Sequence, residues 1–347
     1  MQAALYYPYI NVPSSAWWTR MMLYWDQLGT IVPESYIADP HQLDEHTRRL
    51  VRQELVHQFF PDEAVGLPET FERFLHRLDP AEIDRRRRLF RDAHVERIHA
   101  DKWLSYASGM RAVIAMGLAE EVGYSWVMVE RTTAAEFMSA LALALCQARP
   151  APAKWVPATD RPEVFDALLS GLESAADPRR AGRVDLRING EIRAAEVRSA
   201  LLEDLLPVPA EPIPIDDIVR FRRRHGALLP ALRRLLEAKV DDALAIDDPV
   251  MRQRLLDRLH EEVEERVGQA EQYLRELPLK RVGRSSLLKL MKVVPLVEGI
   301  QDSAESLRSH PDFEREPLAY LAFARAQFSP APVYQPAPVG IPLVSRF

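Results

Sequence analysis

The sequence is short of cysteine, of glycine and of long apolar runs, and each shortage removes a class of protein. Cys146 is the only cysteine. No intrachain disulfide can form, and a reducing, cytoplasmic compartment is the expected setting. Glycine is also scarce, with 13 in 347 residues. That disfavours glycine-rich phosphate loops and folds made of many tight hairpins. The longest apolar stretch, residues 134 to 146, is interrupted by Glu136 and Ser139. It falls short of the ~20 residues that cross a bilayer, so no transmembrane segment is expected. Met1-Gln2-Ala3-Ala4-Leu5 has neither a basic nor a long apolar region, so no secretory signal is expected. Nor does one sign of charge dominate, the formal net charge being −6. Overall charge therefore does not predict a protein that coats nucleic acid. Finally, the P-loop, Gly-x-Gly-x-x-Gly, Gly-x-Ser-x-Gly and His-Glu-x-x-His patterns are missing. Motifs thus point to no cofactor and no metal.

What is present is an ordinary globular composition, with 47% apolar and 28% charged residues. A chain this long predicts more than one domain. Its 27 prolines mark element ends and, with so little glycine, predict a helix-rich fold with few strands. The expected class is α+β, predominantly helical. Residues 1–210 are read as a mixed α/β domain and 211–310 as an antiparallel helical hairpin domain. Residues 311–347 are read as a terminal helix and a proline-rich tail.

The first thirty residues carry the sharpest pattern. Leu5 to Ile10 is rich in β-favouring aromatics. Ser14 or Ser15 can cap a helix whose Trp17, Met21, Tyr24, Trp25 and Leu28 share one face. Gly29 suits a helix C-cap, and Thr30-Ile31-Val32 restarts as a strand. A strand–helix–strand unit of this size predicts parallel strands. After Pro40 the chain reads as helix to about Phe59, then as helices from Pro68 to Leu78, from Pro80, and from Lys102 to Leu118. Ser125 to Glu130 reads as a strand. Thr132-Thr133 would cap a buried helix from Ala134 to Cys146, apolar almost all round. Residues 149 to 162 read as a proline-broken loop, followed by a helix from Pro162 to Leu172. Val184 to Ile188 alternates like an edge strand, and Asn189-Gly190 suits a turn. Glu191 to Leu205 reads as helix.

Residues 207–214 alternate proline and read as an extended linker. A helix from Asp216 to about Ala245 follows, with Pro230 expected to kink or split it. The next, from Pro249 to Leu277, carries Leu256, Leu259, Val263, Val267, Ala270, Leu274 and Leu277 as a coiled-coil-like seam. The short connection between the two predicts antiparallel neighbours. Leu279 to Ile300 and Pro317 to Phe328 also read as helical, and residues 329–347 as an extended tail.

Chemistry-bearing residues are sparse. His94, His99, Asp101 and Lys102 lie close together. They fit an acid/base or phosphate site on His99 and Lys102, or merely a polar helix end. The five-residue spacing of the histidines is poor for metal. Thr159 and Asp160, near Lys154 and Trp155, fit a loop-borne site or the cap of a helix from Pro162. Arg85 to Arg88 and Arg222 to Arg224 read as solvated helix faces laced with ion pairs. Lys280, Arg281, Arg284, Lys289 and Lys292 differ, since no acid falls between Glu276 and Glu298. That basic amphipathic segment fits an anionic surface, nucleic acid or an acidic partner; it also fits a helix docked by its apolar face. Cys146 reads as an inert buried thiol.

Leu5-Tyr6-Tyr7-Pro8-Tyr9-Ile10, Tyr24-Trp25-Asp26 and Ile31-Val32-Pro33 resemble the opening of a family of uncharacterised bacterial cytoplasmic proteins. His99-Ala100-Asp101-Lys102, Trp126 to Val129, Phe137-Met138 and Ile218 to Arg222 are similar too. The resemblance implies a bacterial, cytoplasmic protein and brings no catalytic residue with it.

Three function classes follow. The first is an interaction or scaffold protein, with a protein partner or a second copy bound along the hairpin. The second is a nucleic-acid or anionic-surface binder using residues 280–292. The third is an enzyme whose site is assembled from distant residues, with His99, Lys102 and Asp160 as candidates.

Overall fold

The computed structural model describes residues 2–64, 66–76, 78–148, 153–161, 183–206, 208–209, 213–246, 248–276 and 318–328. The readings of residues 162–182, of 279–300 with its basic side chains, and of 329–347 lie outside the described residues, as do parts of the 207–214 linker.

β1 (Gln2–Tyr6), α1 (Ala16–Tyr24) and β2 (Gln27–Ile31) form a parallel strand–helix–strand unit as expected, but displaced toward the amino terminus: residues 7–10 of the expected strand are loop, and Trp25 and Leu28 of the expected helix face lie beyond α1, Leu28 inside β2. Ser15 caps α1, its hydroxyl accepting from the Trp18 amide. Gly29 is not a helix cap, because α1 already ends at Trp25. It lies inside β2, where a Cβ would sit 2.6 Å from the Phe59 ring. Only glycine leaves room there for Phe59 and Trp155 to pack edge to face at 4.6 Å.

The stretch from Pro40 to Phe59 is not one helix. After α2 (Glu34–Ala38) and α3 (Glu45–Arg52), Glu54 adopts a left-handed φ of 56°. That turn breaks the helix and lets β3 (Val56–Phe59) pair parallel with β2. α4 (Leu67–His76) and α5 (Pro80–Arg91) follow as expected. β4 (Val95–His99) replaces the expected helix end. A 3-10 turn over Ala100–Tyr106 and α6 (Ala107–Ala115) then replace the single helix from Lys102. Gly117, at φ 69°, reverses the chain into β5 (Ala119–Val122) and β6 (Trp126–Glu130). α7 (Arg131–Ala148) is the buried helix the sequence predicts. Its cap is the Glu130 carboxylate, which accepts from the Thr132 and Thr133 amides.

The proline-broken loop is in part a strand. β7 (Lys154–Ala158) pairs parallel with β1. Pro157 is tolerated because, among the described residues, β7 is a sheet edge with no strand beside it to need the missing N–H. α8 (Arg183–Leu205) takes in the Val184–Ile188 stretch and Asn189-Gly190, so neither strand nor turn exists there. Alternation over five residues was too short to outweigh the helical run that follows. Pro230 does split its helix, into α9 (Ile215–His225), a 3-10 turn at Gly226–Leu228, and α10 (Leu229–Leu244). α11 (Pro249–Glu276) and α12 (Ala319–Phe328) complete the described elements. No described helix is long and apolar enough to cross a membrane.

The fold is mixed and mostly helical, with a parallel sheet ordered β3-β2-β1-β7 and an antiparallel sheet ordered β4-β6-β5. Side chains alternate across the parallel sheet. Ala4, Tyr6, Leu28, Val56 and Val156 face one buried cluster, which also holds residues of α1 and of α8 to α12. Leu5, Tyr7, Ile31 and Phe59 face another, shared with α4, α7 and the antiparallel sheet. A parallel sheet buried on both faces explains why β1 reads as a continuous apolar run. α10 packs along α8, and α11 packs on α12 and α8; Leu259, Val263 and Val267 of the predicted seam are buried.

One arginine run departs from the solvated-face reading. Arg86 is buried, and its guanidinium bonds both Glu136 oxygens at 2.7 and 2.9 Å. It also holds Glu82 at 2.7 Å. Glu136, the interruption in the apolar helix, is therefore the buried counterion that ties α5 to α7.

Candidate functional site

The strand order places a switch point beside β1. The chain leaves β1 toward β2 and β3, and returns as β7 on the other side. Loops leaving the carboxyl ends of two such strands diverge, and the crevice between them is where open parallel sheets hold ligands. Here those loops are Tyr7-Pro8-Tyr9 and Thr159-Asp160-Arg161.

Two of the sequence-predicted residues, His99 and Lys102, sit together beside the first loop. Lys102 reaches it from the 3-10 turn after β4, and its Nζ donates to the Pro8 carbonyl at 2.8 Å. The amine is 3% exposed, and burial lowers its pKa to about 7. Among the described residues no carboxylate pairs with it. Asp160, just past β7, instead accepts from the hydroxyl of Tyr6, the last residue of β1, at 3.1 Å. Burial, then the Asp160 charge, pushes the Tyr6 phenol up. His99 ends β4, with its ring edge-on to Trp126 at 5.1 Å and Tyr36 at 5.9 Å. Its Nδ1 accepts from the Asp101 amide at 3.3 Å, which leaves the proton of the neutral ring on Nε2. Burial lowers the His99 pKa, Asp101 opposes that, and the Lys102 charge adds to it.

Several neighbours carried no signal in the sequence. Arg161 bonds the Tyr9 hydroxyl and lies 3.3 Å from Glu96. Arg131 approaches Glu96 at 3.6 Å. These residues converge because antiparallel pairing sets the start of β4 beside the end of β6, and Arg161 past β7 reaches the same place, which no spacing along the chain reveals. Burial and Glu96 push the Tyr9 phenol up.

Other candidates disperse. His94 and His99 flank β4, so they do not share a site. Lys154 stands at the amino end of β7, away from Asp160, and is exposed. Thr159 accepts from the Arg161 amide in a tight turn. The Cys146 thiol is pushed up by burial. Among the described residues no three His, Cys, Asp or Glu side chains converge to hold a metal. No protein-family model matches the chain, and no curated protein and no solved structure matches it either.

Proposed function

We propose that the protein is an enzyme acting on a small polar molecule held at the carboxyl end of the parallel sheet, with Lys102 as the working amine and His99 beside it. One observation carries the reading. A buried lysine is bonded to a lone main-chain carbonyl at 2.8 Å, on the loop that opens the strand-order switch. Burying an amine without a counterion is costly, and such groups concentrate where chemistry needs them. A lowered amine pKa leaves it able to take a proton or attack a carbonyl near neutrality. A cytoplasmic setting belongs to the same reading, supported by the single cysteine.

Competitive acetylation of amines, mapped by peptide mass spectrometry across pH, tests it. Lys102 should label with a midpoint near pH 7 and outpace exposed lysines at pH 7.5. A Lys102 that stays unlabelled, or titrates with the ordinary lysines, would sink the proposal.

An interaction role for α10 and α11 as an antiparallel hairpin is the second reading. Its support is Val250 and Met251, large apolar side chains 59% and 48% exposed at the start of α11. Arg252 donates back to the Ala243 and Ile246 carbonyls, which suits a tight connection. Native mass spectrometry separates the two, since a bare monomer removes self-association along the hairpin. Binding through Lys280 to Lys292 remains a third proposal; an affinity that ignores salt would end it.

A further inference from the structure

The antiparallel sheet buries one face and carries exposed residues on the other. Ile98, Val127 and Val129 turn inward, into the buried cluster that α7 shares. Side chains alternate along a strand, so the residues between them turn the other way. Register sets these in two rows. Arg97 of β4, Met128 of β6 and Glu120 of β5 form the first, and His99, Trp126 and Val122 the second. Arg97 and Glu120 are exposed, Met128 and Trp126 half-buried, and Val122 is 42% exposed. The hairpin tip beyond them is open. Gly123 turns there at φ 65°, a Cβ on it would meet nothing within 4 Å, and Tyr124 is fully exposed.

Two opposite charges thus flank an apolar strip on one surface. Arg97 lies over the Trp126 ring, 4.7 Å from its centroid, and a stacked guanidinium still presents its N–H edge for pairing. Glu120 stands two strand spacings away, roughly 10 Å. Among the described residues neither side chain makes an ion pair. Scattered apolar residues on a surface are ordinary; here Val122, Trp126 and Met128 are neighbours held between the two charges.

The charges also select the occupant. A polyanion would meet Glu120, and a basic strand would meet Arg97. The strip's own two-fold image answers both. A two-fold interface is self-complementary, each residue meeting its counterpart's contact on the other copy. An axis parallel to β6 exchanges the two sides of the row, so Arg97 falls opposite Glu120 twice. Edge-to-edge pairing of two β5 strands is the poorer arrangement, since it sets Glu120 and Glu121 beside their own copies.

We propose that two copies of the chain associate face to face across this strip, Arg97 of each on Glu120 of the other, with Val122, Trp126 and Met128 between them. The surface is separate from Lys102 and from the α10–α11 connection. It is small, which predicts a weak dimer that forms as concentration rises.

Sedimentation velocity of the full chain over a series of protein concentrations tests it. Wild type should pass from monomer to dimer, and less readily in high salt. Arg97→Glu and Glu120→Arg each create two like-charge contacts in the dimer and should weaken it at least about tenfold. Mixed in equal amounts, the two variants restore both opposite-charge contacts, and the dimer should return. That rescue also shows that both variants are folded. Val250→Asp, at the start of α11, should dimerise as wild type does. A wild type that stays monomeric, single variants that dimerise unchanged, a mixture that stays monomeric, or loss of the dimer in Val250→Asp would each overturn the proposal.

Discussion

The two ends of the parallel sheet solve opposite problems. At the amino end, Tyr24-Trp25-Asp26 turns α1 into β2 and meets a set of closed charge pairs. Arg233 holds Asp26 at 2.7 Å and bonds the Tyr24 carbonyl. Arg198 grips both Glu237 oxygens at 2.6 and 2.7 Å, and the Tyr24 hydroxyl donates to the same carboxylate. Tyr320 donates to the Leu23 carbonyl at 2.5 Å. These contacts fasten α8, α10 and α12 to the sheet. At the carboxyl end Lys102 is buried on a carbonyl, and among the described residues no carboxylate pairs with it. Charges that are paired hold a fold together; those left open store a cost that function can use.

The largest test of this contrast is Arg233→Met. It strands the Asp26 carboxylate and the Tyr24 carbonyl, and should cost about 3 kcal/mol in urea unfolding. A loss below about 0.5 kcal/mol would erase the claim that the amino end is a fastening.

Lys102→Met should act with the opposite sign. The unfolded amine titrates near ~10.4, whereas the folded one is lowered to about 7. Between those values the unfolded chain keeps the proton and the folded protein releases it. Wild type therefore gains stability as pH rises from 7 to 10, and carries the full cost below pH 7. The variant should lose that slope and be more stable at pH 7 and below, by on the order of 3 kcal/mol once the lost hydrogen bond is deducted. Destabilisation at pH 6 would mark Lys102 as an ordinary structural donor.

The smallest effect compares two tyrosines that donate to carboxylates. Tyr24→Phe opens the closed network and should cost roughly 2 kcal/mol, while Tyr6→Phe, facing Asp160, should cost under about 1. Equal losses, measured by thermal unfolding, would blunt the distinction between the ends.

Which strands were legible follows from position in the sheets. β1, β2 and β6 stood out, and all three are central. β3, β4, β5 and β7 carry no such pattern, and among the described residues all four are edges. Val56-His57-Gln58-Phe59 and Val95-Glu96-Arg97-Ile98-His99 carry polar residues, and Lys154 to Ala158 carries Pro157. Edge strands use such residues to avoid further pairing, so they lose the apolar signature by design. The same holds for the candidate site. His99, Lys102 and Asp160 are visible as residue types, and Tyr6 and Tyr9 within the aromatic opening, whereas Glu96, Arg131 and Arg161 carry no such signal.

The sequence by itself determined the opening strand–helix–strand unit, the buried α7 helix, the split at Pro230 and the mostly helical balance. Those rest on local periodicity, capping and proline geometry, which act over a few residues. Only the tertiary structure decided that β7 returns beside β1 and that Arg86 is buried on Glu136. It alone set Lys102 on the Pro8 carbonyl and Asp160 on the Tyr6 hydroxyl, each across more than 90 residues of chain. Such pairings depend on which surfaces exclude water together, and that is a property of the packed chain rather than of any segment of it.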